Sequence, residues 1–123
     1  MRRKRILLVD DCKVSLLTQE LMLSGPNLEV LKAAHGVEAL CRAVADLPDL
    51  ILLDVKMPDV DGLEVLRVLR SEEVTRDIPV LLVTACGDPH TRSEGIRHGC
   101  RDYVTKPVDA LELKTKVARY LAG

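Results

Sequence analysis

The sequence predicts an α/β fold in which one parallel sheet is covered by helices on both faces. Two observations carry that prediction. Five short apolar runs recur along the chain: Ile6–Val9, Leu28–Leu31, Leu50–Leu53, Val80–Val83 and Tyr103–Val104. The stretches between them carry helical spacing of apolar residues, bounded by turn and cap signals. Strands that alternate with helices of this length build parallel sheets buried on both sides.

The elements follow in order. Strand one, Ile6–Val9, leads into a helix with the stripe Val14, Leu17 and Leu21. Ser24-Gly25-Pro26-Asn27 is a turn before strand two. Val37, Leu40, Cys41 and Val44 follow i, i+3, i+4, i+7 and mark helix two. Strand three is followed by Asp61 and Glu64, which have capping-box spacing ahead of the stripe Leu63, Leu66 and Leu69. Strand four leads to Asp88-Pro89, an N-cap with proline at the first helical position. The fourth helix, Asp88–His98, has Ile96 as its one large aliphatic residue and Gly95 in its interior, so it is expected to be the most loosely held. Asp109 and Glu112 cap a fifth helix carrying Leu113, Val117 and Leu121.

The strands also predict their order. Runs one, three and four are continuously apolar, as strands buried on both faces should be. Run two is broken by Glu29, and run five is short and flanked by polar residues, so both read as edges. These assignments fit the order 2-1-3-4-5, a flavodoxin-like doubly wound sheet with five helices, better than the winding that begins 3-2-1.

Composition narrows the function. The chain has 123 residues and reads as a single domain spanning 1–123. It is 47% hydrophobic, enough to build a core and to argue against disorder. Its 18 Lys+Arg nearly cancel 19 Asp+Glu, so no global charge draws it to nucleic acid or to an anionic membrane. With no Phe, no Trp and two Tyr it lacks base-stacking platforms. No stretch is apolar enough to span a membrane, and the basic run Arg2–Arg5 precedes too few apolar residues for a signal peptide. That run reads as a solvated flank, and a cytoplasmic location is expected. Cys12, Cys41, Cys86 and Cys100 show no metal-ligand or CxxC spacing, so they are expected to be reduced, mostly buried thiols. His35, His90 and His98 suggest no role.

The polar residues next to the strand ends carry the chemistry. In an open parallel sheet, ligands bind beyond the carboxyl ends of the strands, at the switch point between strands one and three. Asp10 and Asp11 follow strand one, Asp54 follows strand three, Thr84 follows strand four, and Lys106 lies just past strand five. Each has an ordinary reading when taken singly: an N-cap, a loop opening, a strand end, a turn. Together they meet on one rim. Each close pair of carboxylates costs roughly 4 kcal/mol at 4 Å and an effective dielectric of 20. Lys106 offsets part of this, and a divalent cation such as Mg²⁺, which favours oxygen ligands, would offset more. Carboxylates, a lysine, a hydroxyl and Mg²⁺ make up a phosphoryl-transfer set, in which an aspartate can itself be the nucleophile.

These residues resemble the receiver domain of two-component response regulators. The matching motifs are Ile6-Leu7-Leu8-Val9-Asp10-Asp11, Leu53-Asp54-Val55-Lys56-Met57-Pro58 with Asp61-Gly62, Val83-Thr84-Ala85, and Asp102-Tyr103-Val104-Thr105-Lys106-Pro107. The resemblance runs from about Lys4 to Leu121. It implies that Asp54 is the phosphoacceptor, taking its phosphoryl group from a phosphohistidine on a histidine kinase or phosphotransfer protein. It implies Mg²⁺ held by Asp11 and Asp54 directly, by Asp10 largely through water, and by the backbone carbonyl of Lys56. Lys106 would pair with Asp54 and then with the phosphoryl group, Thr84 would bond a phosphoryl oxygen, and Tyr103 would turn inward behind it. The Lys106-Pro107 peptide is expected to be cis. The modified state would be displayed on the face formed by the fourth helix, fifth strand and fifth helix, to an output domain, a target protein or a second copy. No turnover of an outside substrate, no direct nucleic-acid contact and no membrane contact are expected.

Some positions depart from the family's habit. Gly95 and Cys100 stand where alanine is more usual. Lys56 and Cys86, each two residues past a site residue, stand at positions which the resemblance implies would tune the lifetime of the phosphoryl group. Two other functions compete. A phosphatase with an aspartate nucleophile would carry a second acid where Lys56 stands, and a cap for which the chain has no length. A phosphorylation-independent scaffold would not need every acidic, hydroxyl and lysine position filled.

Overall fold

The computed structural model describes residues 3–85 and 88–122. Strands and helices alternate: β1 (Lys4–Val9), α1 (Lys13–Leu23), β2 (Leu28–Ala33), α2 (Gly36–Asp46), β3 (Leu50–Asp54), α3 (Gly62–Ser71), β4 (Val80–Ala85), α4 (Pro89–Arg97), β5 (Asp102–Lys106) and α5 (Ala110–Leu121). All strand pairs are parallel, in the order β2-β1-β3-β4-β5. The expected order is therefore observed, and its physical basis with it. Every residue of β3 is buried, whereas β2 is only half-buried along most of its length.

Alternation along the strands divides the core in two. Leu7, Val9, Ile51, Leu53 and Leu82 face α2 and α3, meeting Ala39, Ala43, Val65, Leu66 and Leu69. Ile6, Leu8, Leu50, Leu52, Leu81 and Val83 face α1 and α5, meeting Leu16, Leu23, Leu113 and Val117. The predicted caps form: Asp61 accepts from the Leu63 amide, Asp88 from Thr91 and Asp109 from Glu112.

One helical stripe faces the other way from the sequence reading and a second does so in part, since Leu40 of the α2 stripe packs against the core. In α1, Val14, Leu17 and Leu21 are 55–71% exposed, and the buried residues are Leu16, Gln19 and Leu23. Both sets have helical spacing, so periodicity alone did not choose between them. In α2 the buried residues are Gly36, Ala39 and Ala43, with Val37 and Val44 turned out. The reason is clearance. A Cβ at Gly36 would lie 2.8 Å from Val60 Cβ, so the helix start approaches its neighbours too closely for a larger residue. The cysteine expectation is corrected with it. Cys41 lies on the outer stripe and is exposed, Cys12 is exposed at the start of α1, and Cys100 is partly buried. All three are free thiols. Cys86 and the Arg2 end of the basic run lie outside the described residues. Arg5, in the same run, pairs with Glu29 at 3.3 Å and donates to the Asp46 carbonyl.

The fourth helix is held sparingly, as expected. Its buried residues are Thr91 and Gly95, and Ile96 is 63% exposed. Gly95 lets it settle on β4, since a Cβ there would come within 2.4 Å of Leu82 Cδ1 and 3.1 Å of Cys100 Sγ. With so little apolar area buried, backbone amides of α4 are expected to exchange with solvent faster than those of α3, which buries Val65, Leu66 and Leu69. Native-state hydrogen exchange checks this, and equal protection of the two helices would contradict it.

A second glycine shapes the loop after β3. The Gly62 amide donates to the Val55 carbonyl at 2.7 Å, closing the loop that begins at Asp54. A Cβ at Gly62 would stand 2.4 Å from the Asp54 carbonyl oxygen and 2.7 Å from Val55 Cα, both backbone atoms. Gly62→Ala is expected to cost about 1–3 kcal/mol of stability in denaturant melts, because backbone must move to admit the methyl.

Candidate functional site

Asp10, Asp11, Asp54, Thr84 and Lys106 reach one rim from four strands. The Asp10 amide donates to the Ala33 carbonyl at 3.1 Å, which ties the end of β1 to the end of β2. Its carboxylate turns inward and is 1% exposed. One oxygen, Oδ1, accepts from the Cys12 amide at 2.9 Å, while Oδ2 is buried without a hydrogen-bond partner. Asp54 closes β3, and the following Val55 amide donates to Val83 of β4 at 3.2 Å, which fixes the carboxylate's direction. Thr84, on β4, is buried and lies opposite Thr105 of β5.

Asp10, Asp11 and Asp54 each offer an oxygen within 4.8 Å of the other two. Asp10 and Asp54 are buried and Asp11 is exposed. Lys106 Nζ lies 3.2 Å from Asp54 Oδ1 and 3.8 Å from Asp10 Oδ2. Burial pushes the Asp54 carboxyl above its ordinary value, and the Asp10 charge pushes it further, against the opposing pull of Lys106. The donor set consists of hard oxygens, one of them a buried carboxylate oxygen that accepts no hydrogen bond. That set suits a hard divalent cation.

The remaining predicted residues lie close by. The Lys106-Pro107 peptide is cis. Lys56 and Thr84 line a small cavity of about 60 Å³ together with Asp54, Ala85 and Lys106. A roomier apolar groove of about 520 Å³ runs between α2 and α3, away from the carboxylates. Tyr103 is half-buried, packed against the α2–α3 side of the core. The Arg92 guanidinium lies 4.2 Å from its ring centroid.

Three polar residues outside the predicted site set each lie in a segment that follows a strand. Asp88 lines the same small cavity as well as capping α4, and the Thr91 hydroxyl and amide hold its carboxyl below the ordinary range. Its cap role was legible, but its direction toward the cavity was not. Asp59, in the loop after Asp54, accepts from the Gly36 and Val37 amides at 2.9 and 3.1 Å, which lowers its pKa to about 2. His35 caps α2 through Nδ1, accepting from Glu38. No local pattern announces Asp59, because its partners lie over twenty residues away.

Among known proteins, the chain matches the family described as the response regulator receiver domain over residues 6–118. It is 43% identical over 113 residues to the response regulator PleD of Caulobacter vibrioides, covering 92% of this chain and 25% of that relative. It is 37% identical to Protein PilH of Pseudomonas aeruginosa, covering 97% of this chain and 98% of that one. The chain thus spans a quarter of PleD and nearly all of PilH. Its fold superposes on the chemotaxis protein CheY4 of Vibrio cholerae with a TM-score of 0.89 at 29% identity, covering 97% of this chain and 99% of that chain. Fold, rim and family match agree, and the chain belongs to the response regulator receiver domain family.

Proposed function

We propose that this chain is a single phosphoacceptor module, spanning 1–123, in which Asp54 takes a phosphoryl group from a phosphohistidine. The donor is a histidine kinase or a phosphotransfer protein. An Asp54 carboxylate oxygen attacks phosphorus, the bond from phosphorus to the donor imidazole nitrogen breaks, and the imidazole leaves with the electron pair. Asp11, Asp54 and the Lys56 carbonyl, with Asp10 largely through water, would hold Mg²⁺, which would supply charge neutralisation for the acids and the transferred oxygens. Lys106 holds Asp54 by its ion pair and then follows the new negative charge. Thr84 donates its hydroxyl to a phosphoryl oxygen. The observation that carries this reading is the carboxylate trio within 4.8 Å, with Lys106 at 3.2 Å from Asp54.

The added group brings about −1.5 to −2 of charge and three strong acceptors. Drawing Thr84 and Lys106 toward it favours a conformation already present at low population, read out on the face formed by α4, β5 and α5. Tyr103, on β5, moves with that face. The readout partner is an output domain, a separate target protein or a second copy. The exposed stripe Val14, Leu17 and Leu21 on α1 gives a protein donor an apolar surface beside the rim. A groove lined by Thr18, Met22, Lys106, Pro107 and Val108 adjoins it.

Exposure to acetyl phosphate with Mg²⁺ is expected to add one PO₃ unit that hydroxylamine removes. Asp54→Asn should abolish the gain. No gain in the wild-type chain, or a gain that survives Asp54→Asn, overturns the proposal.

The raised Asp54 pKa also predicts a pH dependence. A carboxyl that titrates higher in the folded chain than its ordinary 3.8 favours folding when protonated. That contribution is complete below 3.8 and is lost as pH rises through the raised value. Without metal, Asp54→Asn is therefore expected to melt higher than the wild-type chain near pH 7, with the gap shrinking as pH falls toward 4. Added Mg²⁺ should raise the wild-type midpoint by mass action and raise that of Asp54→Asn much less. Paired thermal melts across pH and metal concentration check both.

A further inference from the structure

We infer that Arg92 is a positioning residue, a latch that ties α4 to β5 in the unmodified chain and opposes the switch at the Asp54 site. The inference rests on the phosphoacceptor reading above. Arg92 lies on α4, the helix with the least buried apolar surface, and its side chain reaches across to β5. Its guanidinium sits 4.2 Å from the Tyr103 ring centroid, and its Nη2 donates to Thr105 Oγ1 at 3.0 Å. Its Nε is buried with no hydrogen-bond partner, so the group is drawn into the α4–β5 seam and gives up hydration there. Among the described residues Arg92 has no carboxylate within ion-pair distance. Its charge faces a ring and a hydroxyl instead.

The two residues it grips lie at the centre of the proposed movement. Thr105 stands opposite Thr84 in the β4–β5 register and directly precedes Lys106. Lys106 in turn holds Asp54 at 3.2 Å. Tyr103 is also held by Lys116 of α5, whose ammonium donates to the Tyr103 carbonyl at 2.6 Å and lies 5.2 Å from the ring centroid. Lys116 pairs with Asp102 of β5 at 3.5 Å and with Glu112 of its own helix at 3.7 Å. The ring is therefore contacted by one cation from α5 and one from the sparsely packed α4.

A shift of β5 toward a phosphoryl group on Asp54 changes the Arg92–Thr105 distance and the ring contact together. The latch contributes only to the conformation in which both contacts exist, so it lowers the population of any other. Removing it is expected to raise that population and, with it, the rate at which a small donor modifies Asp54. Arg92→Met keeps the stem over the ring but loses the charge and the hydrogen bond. Arg92→Lys keeps a cation but loses the planar fork. Thr105→Val removes the acceptor at nearly constant shape.

The experiment measures the initial rate of Asp54 modification by acetyl phosphate with Mg²⁺, together with hydrogen exchange of α4 in the unmodified chain. Arg92→Met is expected to react roughly five- to tenfold faster, given the strength of a desolvated cation–π contact with a hydrogen bond. Arg92→Lys and Thr105→Val should fall between it and the wild-type chain, and the double change Arg92→Met with Thr105→Val should be no faster than Arg92→Met alone. Amides of α4 should exchange faster in Arg92→Met while Mg²⁺ affinity stays unchanged, an effect general destabilisation does not produce. An unchanged or slower reaction in Arg92→Met with intact Mg²⁺ binding overturns the latch. If the wild-type chain takes no phosphoryl group, the phosphoacceptor reading fails on its own. The tie itself is then judged by exchange: unchanged α4 protection in Arg92→Met overturns it.

Discussion

One ammonium faces two buried carboxylates at the switch point of the sheet, and much of the site's behaviour comes from that imbalance. Lys106 lies close to Asp54 and more distantly to Asp10, leaving one Asp10 oxygen buried without a hydrogen bond. Removing carboxylates from water is costly, and a single cation does not compensate for a pair. The folded chain accepts this strain because β1 and β3 are neighbours and their ends converge. The apolar register of these strands, Ile6 to Val9 against Leu50 to Leu53, brings the acids together. Core packing therefore creates an electrostatic demand that a metal ion or a transferred group can answer.

The helices respond to that arrangement unequally. On one side α2 and α3 are set down firmly through small residues and leucines, and the loop after Asp54 is closed by Gly62 at van der Waals limits. Beyond α3 on the same face, toward β5, α4 rests on Thr91 and Gly95. The same rim thus has a stiff flank and a yielding one.

The parts of the molecule most legible in sequence were those set by one-dimensional pattern. The continuously apolar runs one, three and four predict the central strands, and Asp61, Asp88 and Asp109 announce three helix starts. The site was legible because its residues each follow a strand, so the topology that orders the strands also gathers the acids. Patterns with two equivalent solutions were misread. The α1 sequence carries two apolar stripes, and only the packing of Leu16 and Leu23 against β1 and α5 selects one. In α2 the bulky stripe reads as the inner face, but the helix seats on Gly36, Ala39 and Ala43, with no room for a Cβ at Gly36 and only Leu40 of the bulky stripe against the core. Contacts between distant segments, such as Asp59 with the start of α2 or Arg92 with Tyr103, left no periodic trace.

The Asp59 cap bears on how the loop after Asp54 can move. Its carboxylate accepts from two amides at the start of α2, and those bonds lower its pKa to about 2. The segment that leaves Asp54 is thus moored to a neighbouring helix by bonds that ordinary acidity does not loosen. Any displacement of that loop must either break them or carry the start of α2 with it.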